Sequence, residues 1–324
     1  MLVTGGAGFI GSSLIAALNE RGVDHILVAD VLDRSEKWRN LAPLRFDDYM
    51  SADALLERLA SGRLDHVRTV FHLGACSSTT ETDAAYLMRN NFEYTRTLAE
   101  WALRRSARFV YASSAATYGA LEGELREDVD LATLRPLNMY GYSKHLFDMH
   151  AAKRGYASRI AGLKYFNVFG PNEYHKGDMR SMVHKAYEQV VATGRVKLFR
   201  SDRPGVADGE QRRDFVYVRD AIDFTLFLAE DSSRNGLFNV GSGQASTWLD
   251  LVTPVFTALE KPVGIDFVDM PETLRGKYQY FTQASLTRTQ ALGYLKPPTP
   301  LSKAVIECVQ QYLVPRRHMG DPAR

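Results

Sequence analysis

The first eleven residues constrain this chain more than any later stretch. Met1–Thr4 is a short apolar run, and Gly5, Gly8 and Gly11 follow it as Gly-x-x-Gly-x-x-Gly. From Phe9 to Arg21 apolar side chains recur at helical spacing. A strand, a glycine turn and a helix in that order let the backbone approach a pyrophosphate closely. The free N–H groups and positive end of the helix then face the anion. Gly5, Gly8, Phe9, Ile10 and Gly11 are therefore expected to line a dinucleotide phosphate site. A second apolar run, His25–Asp30, ends in an acid where a ribose hydroxyl is usually bound.

The alternation continues. Thr69–His72 and Arg108–Ala112 read as buried strands, and Ser158–Tyr165 as another. Asp53–Ser61, Ala84–Ala107 and Tyr140–Arg154 read as helices. Strands alternating with helices imply an α/β fold, a Rossmann-type doubly wound parallel sheet. After Asn167 the loops lengthen, and Ser201–Gln211 is a polar excursion too long for a tight turn. The expected division is a nucleotide-binding domain over 1–166 and a smaller, interleaved C-terminal substrate domain over 167–213 and 244–314. Residues 214–243, with strands Asp214–Val218 and Leu237–Gly241, are expected to return to the main sheet. Ile265–Met270 is read as a strand, Leu301 to Leu313 as a helix, and 315–324 as a flexible tail.

Composition excludes several classes. Of 324 residues 45% are apolar and 24% charged, and the net charge is +2, too slight to suggest nucleic acid. Cys76 and Cys308 form no framework and no zinc spacing, so a reducing cytoplasm is expected, without a metal. No uncharged apolar run reaches the roughly 18 residues of a membrane span.

Tyr140-Gly-Tyr-Ser-Lys144 sets a tyrosine and a lysine at i and i+4, on one helical face. A phenol ordinarily titrates near 10, so it needs a neighbouring cation to act as a base. Ser113-Ser114-Ala115-Ala116 follows a strand, and the Ser114 hydroxyl would bond an oxygen becoming a carbonyl. The glycine loop, Ser114, Tyr140 and Lys144 together resemble the extended short-chain dehydrogenase/reductase family, over nearly the whole chain. Gly74-Ala75, Asn90 or Asn91, and Arg213-Asp214-Phe215-Val216-Tyr217-Val218 followed by Asp220 fit the same family. Its dehydratases carry an Asp-Glu pair where this chain has Ala115 and Ala116, so dehydration is disfavoured.

Within that family Ala75–Glu81, Tyr165–Pro171, His175-Lys176-Gly177 and the run from Lys277 to Ala284 resemble the ADP-glyceromanno-heptose 6-epimerases. On residue type alone Lys176 is either a loop cation pairing phosphate or an acid/base. The resemblance implies the second role, as partner to Tyr140, with Ser114 and Lys144 completing the catalytic set. It also implies cofactor contacts from Asp30, Lys37, Leu73, Gly74, Ala75, Cys76, Ser77, Asn90, Lys144, Val168 and Lys176. Sugar-nucleotide contacts are expected from Asn167, Asp178, Lys185, Phe199, Arg200, Ser201, Asp202, Arg213 and Tyr278. Arg213, a planar donor fork, suits a diphosphate, although Asp214 beside it is an alternative partner.

Asp30 alone favours NAD, whereas Arg34 and Lys37 suit a 2′-phosphate. The resemblance favours NADP, tightly bound and regenerated each turnover, with NAD the alternative. It further implies ADP-glyceromanno-heptose as substrate, a role in lipopolysaccharide synthesis, and a homo-oligomer, a pentamer. The competing expectations are a UDP-hexose 4-epimerase and a non-catalytic NAD(P)-binding regulator. The chain departs from the resemblance at Asp178, Ala52 and Leu73, and in a longer 203–211 loop.

Overall fold

The computed structural model describes residues 1–272 and 278–322. Lys277, the first residue of one quoted stretch, lies outside the described residues, as do the last two of the chain. The strands, in chain order, are β1 (Leu2–Thr4), β2 (Leu27–Ala29), β3 (Asp48–Met50), β4 (Thr69–His72), β5 (Arg108–Ser114), β6 (Gly123–Leu125) and β7 (Ala161–Tyr165). There follow β8 (Asn167–Phe169), β9 (Val196–Phe199), β10 (Arg212–Tyr217), β11 (Gly236–Val240), β12 (Ala245–Thr247), β13 (Ile265–Val268) and β14 (Thr282–Ala284). The helices that matter below are α1 (Phe9–Glu20), α2 (Ala52–Ala60), α3 (Ala84–Leu87), α4 (Tyr94–Arg104) and α5 (Met139–Lys153). The later ones are α6 (Met182–Thr193), α7 (Val218–Glu230) and α8 (Trp248–Ala258).

Seven parallel strands form the main sheet in the order β11-β7-β5-β4-β1-β2-β3. Alternate residues of each strand face opposite sides of the sheet. Val3, Phe71 and Val110 pack with α1 and α7, while Leu2, Val70 and Phe109 pack with α2, α4 and α5. Both faces are covered, which is why these strands read as continuous apolar runs. The chain leaves β1 toward β2 on one side and β4 on the other. That reversal opens a crevice at the C-terminal ends of β1 and β4, where the glycine loop begins. The expected doubly wound sheet is present.

Two expectations need correction. Of residues 214–243 only β11 joins the main sheet, Gly236 pairing with Ala161. β10 pairs instead with β8 and β12. The buried Asp214 carboxylate ties β10 there: it accepts hydrogen bonds from the Ser242 and Gly243 N–H groups of the loop after β11 and from Ala284 N–H of β14. The tail is packed rather than free as far as Pro322. Met319 is 3% exposed and its N–H donates to Asn172 Oδ1 at 2.9 Å. His318 meets Asn40, and Arg317 donates to the Asp321 and Pro322 carbonyls. The physical reason is that buried polar groups of two loops need these partners.

Short strands build the second lobe, and of these β13, within Ile265–Met270, was expected while β6, β9 and β14 were not. β13 pairs with β9, and β6, from the first half, pairs with β14 from near the end. Among the described residues no helix is long and apolar enough to cross a membrane.

Candidate functional site

The crevice begins with glycines that no other residue could replace. A Cβ on Gly11 would lie 2.1 Å from the Gly5 carbonyl oxygen, so only glycine lets α1 start directly over the loop. Gly8 caps α1 without any side-chain bond, and no acid lies in the first turn. The leading N–H groups and the positive helix end therefore face the crevice without a protein anion, the arrangement a pyrophosphate requires. Phe9 is buried and Ile10 half-buried behind that turn.

Asp30 ends the second strand run and fixes the loop. Its carboxylate accepts from Ala7 N–H at 2.8 Å and from Val31 N–H at 2.7 Å, and pairs with Lys37 at 2.8 Å. Arg34 is exposed beside them. The β4 end is held equally firmly. Thr4 Oγ1 accepts from Gly74 N–H, and it lies 2.7 Å from His72 Nδ1. Burial drives the His72 imidazole well below its ordinary titration range, so it is neutral, with one donor and one acceptor nitrogen. Thr4 can then donate to Nδ1 while Nε2–H donates to Thr95, whose hydroxyl donates to the Asn91 carbonyl.

Asn91 is completely buried in a wide turn between α3 and α4. Its side chain accepts from Cys76 N–H at 2.8 Å, donates to Cys76 C=O at 3.0 Å, and donates to Ser143 on α5. It thereby fixes the Leu73–Ser77 loop to the helix carrying Tyr140. Asn90 turns its amide to the Tyr86 carbonyl and stays half-exposed.

α5 starts at Asn138, whose side chain caps Gly141 N–H at 2.8 Å. A Cβ on Gly141 would sit 2.8 Å from the Ala116 carbonyl oxygen. The bare glycine lets the helix press against the turn after β5, bringing Tyr140 to Ser114. Burial pushes the Tyr140 phenol above its ordinary value, and the nearby Ser114 hydroxyl pulls the other way. Lys144, one turn on, is buried and donates to the Ala112 carbonyl at 2.9 Å. Burial pushes its ammonium down to about 8, against the attraction of Asp148. Ser114, Tyr140 and Lys144 thus meet at the end of β5.

Beneath them lies a buried ion pair that the sequence reading overlooked. Asp148 accepts from Tyr111 at 2.9 Å, Ser113 at 2.7 Å and Lys164 at 2.9 Å. Lys164 also donates to Thr117. The signals were an acid at i+4 from Lys144 on the same helical face, and a lysine inside an otherwise apolar strand.

Lys176 stands in the loop after β8, its ammonium 5.2 Å from the Phe9 ring centre and 3.6 Å from the Glu173 carboxylate. Glu173 is 1% exposed and accepts N–H bonds from Gly170 and Ser181. The second lysine is therefore set against the start of α1, on the glycine-loop side. His175 has its imidazole pushed down to about 4 by burial and by Lys37 and Lys176, so it is neutral. Val168 is half-buried on β8, and Asn167 is exposed at its start.

Several of the remaining predicted contacts, Arg213, Tyr278, Ser201 and Asp202 among them, gather in one shelf. Arg213 is 8% exposed, lies 4.9 Å from the Tyr278 ring centre, and donates to the Arg212 carbonyl. Asp214 is engaged elsewhere, and among the described residues no carboxylate lies within ion-pair distance of Arg213. Tyr278 accepts from Trp248 Nε1 at 2.7 Å. Ser201 N–H donates to Asp208, Asp202 bonds Tyr280, and Arg203 pairs with Glu122 at 2.7 Å. Gln279 donates to the Gly119 and Leu121 carbonyls, joining this shelf to the turn after Ser114. Phe199 borders it, half-buried, while Arg200 points outward toward Asp269. Asp178 is exposed and Lys185 is half-buried on α6, and neither makes a side-chain hydrogen bond among the described residues.

Known proteins resemble the chain throughout. The NAD dependent epimerase/dehydratase family matches residues 1–241. A protein of Nitratidesulfovibrio vulgaris named ADP-L-glycero-D-manno-heptose-6-epimerase is 50% identical over 96% of this chain and 97% of its own. The Helicobacter pylori ADP-L-glycero-D-manno-heptose-6-epimerase structure is 28% identical with a TM-score of 0.80, covering 96% of this chain and 95% of that one. A Bacillus cereus UDP-glucuronic acid 4-epimerase, solved with NAD, is 25% identical with a TM-score of 0.78, covering 96% and 98%.

Proposed function

The chain belongs to the NAD-dependent epimerase/dehydratase family, and we propose that it inverts C6″ of ADP-D-glycero-D-manno-heptose, giving the L-glycero epimer. It is an isomerase that works with a nicotinamide cofactor. The observation that carries the proposal is a pair of proton-handling groups: Tyr140 with Ser114 at the β5 end, and Lys176 against the glycine loop. The 50% identity to the named heptose epimerase supports the sugar.

C6″ bears a hydroxyl and no adjacent carbonyl, so direct proton abstraction is unfavourable and transient oxidation to a 6″-ketone is the accessible route. When bound, the nicotinamide supplies a hydride acceptor and gives the same hydride back. Tyr140 accepts the hydroxyl proton as the carbonyl forms, while Ser114 donates to the developing oxygen. Lys144, buried and singly bonded to Ala112, favours the phenolate by its charge and has donors left for a ribose. Lys176, beside Glu173, delivers the proton once the ketone presents its other face. Arg213 binds the diphosphate, its guanidinium already desolvated.

In this reading the α1 turn holds the pyrophosphate, and Gly74–Ser77, Asn91 and Val168 surround the nicotinamide half. Lys37 and Arg34 favour a 2′-phosphate, hence NADP. The enzyme acts in the cytoplasm, with both thiols free, and as a homo-oligomer in lipopolysaccharide synthesis.

Incubation with ADP-D-glycero-D-manno-heptose in deuterated water, followed at C6″ by NMR, tests the proposal. The expected result is accumulation of the other epimer without deuterium at C6″. Deuterium there overturns hydride return, and turnover of UDP-hexoses in place of the heptose overturns the substrate. Lys176→Ala should slow turnover by about a hundredfold or more; unchanged turnover reduces it to a phosphate contact.

A further inference from the structure

Two buried asparagines join the cofactor loop, the Lys176 loop and the end of the chain. Asn40 is 1% exposed and closes the turn Glu36–Asn40 that carries Lys37. Its amide nitrogen donates to the Ala7 carbonyl at 2.9 Å, inside the glycine loop, and lies 3.2 Å from the Asn172 carbonyl. Both of those oxygens can only accept, so the orientation of the amide is fixed. Its oxygen therefore faces His318 Nδ1, at 2.8 Å, and that nitrogen must carry a hydrogen.

Asn172 repeats the pattern on the neighbouring loop. It is wholly buried and adopts a left-handed backbone with φ +73°, uncommon for any residue but glycine. Its side-chain nitrogen donates to Ser12 Oγ on α1 at 2.9 Å, and its oxygen accepts from Met319 N–H at 2.9 Å. Ser12 in turn donates to the Gly8 carbonyl at 2.7 Å. Tyr174 reaches the same segment, its hydroxyl near the Tyr312 and Arg317 carbonyls and its ring edge against His318. Glu173 lies between these two attachments, and Lys176 follows the second by two residues.

We infer that Arg317–Met319 is a strap holding the Lys176 loop against the cofactor loop, and that His318 is a positioning residue acting through Asn40. The part concerning Lys176 rests on the function proposed above; the part concerning cofactor retention does not. Without the His318 donor, the buried Asn40 oxygen is left unpaired, which weakens the turn whose amide nitrogen holds the Ala7 and Asn172 carbonyls together. The strap lies on the outside of the fold, bordering a cavity of about 460 Å³ that His318 and Arg317 line with Asn19 and Arg45 of the nucleotide-binding half. Its loss leaves the main sheet intact.

The test compares the full-length protein with His318→Ala and His318→Asn. Reduced-nicotinamide fluorescence gives the rate of cofactor release without sugar, and epimerisation assays give kcat and KM. His318→Ala should release cofactor about tenfold faster and lose about tenfold in kcat, with sugar KM within about twofold. His318→Asn, whose amide nitrogen can occupy the Nδ1 position, should restore both. Asn172→Gly keeps the left-handed backbone without the two side-chain bonds, and should also release cofactor faster. Release at the wild-type rate in His318→Ala overturns the strap. Equal loss in His318→Asn assigns the effect to ring packing on Tyr174 and overturns the positioning role. If the heptose is not turned over, the release rates still decide the question.

Discussion

On the cofactor side of the crevice, Ala7, Gly74 and Cys76 N–H groups are each held by a buried side chain: Asp30, Thr4 and Asn91. On the side proposed to bind the sugar, exposed Arg203 and Glu122 pair with each other, Arg203 lying over the buried Tyr280 ring. Buried polar groups left without partners are costly, so a network of the first kind tolerates little change. Exposed ion pairs contribute less and can be exchanged. The difference teaches that the part proposed to bind a constant nucleotide is rigid in its backbone, whereas the part proposed to read the sugar is rigid only in how its side chains interlock.

Asn91→Ala tests the cofactor side most severely. It leaves Cys76 N–H and C=O without their partner, and should cost about 3 kcal/mol in urea unfolding along with weaker cofactor binding. A smaller loss than that from any shelf residue would break the comparison. Arg213→Ala should raise the KM for the sugar nucleotide roughly ten- to a hundredfold, measured in initial rates, while cofactor release stays at the wild-type rate. Arg213→Lys should recover only part of it, since an ammonium cannot present the planar fork. A change in cofactor release would mean the two sides are not separable.

The smallest expected effect is a pH dependence. Folding lowers the Lys144 titration from 10.5 to about 8, so between those values the unfolded chain binds the extra proton. This group therefore makes the cofactor-free protein gain stability as pH rises from about 8 toward 10.5, its charge being penalised fully below 8. Any stability advantage of Lys144→Met in urea unfolding should shrink across that window. An advantage that does not vary with pH would remove desolvation of Lys144 as its cause.

The main sheet was legible because parallel strands covered on both faces read as unbroken apolar runs, Val3 and Phe71 facing one way and Leu2 and Val70 the other. Ser114, Tyr140 and Lys144 were legible because their chemistry needs those types at that spacing. β10 was not, since an isolated strand pattern does not tell which sheet accepts it; Asp214, an acid in mid-strand, was the unused warning. The tail looked frayed because Arg316, Arg317 and Asp321 are polar, while its anchoring depends on Asn40 and Asn172, far away in sequence. Asn91 and Asn90 could not be separated without knowing which face of the wide turn is buried.

The pairing of β6 with β14 has a consequence for biosynthesis. Gly123–Leu125 leaves the ribosome long before Thr282–Ala284, its sole strand partner among the described residues. Chains fold progressively as they emerge, and all seven strands of the main sheet, β11 included, precede Thr282. A chain interrupted before Thr282 contains Ser114, Tyr140, Lys144 and Lys176 but lacks the strand that joins the shelf to them. The proposed catalytic residues are thus in place early, and the proposed sugar platform is completed only with the last part of the polypeptide.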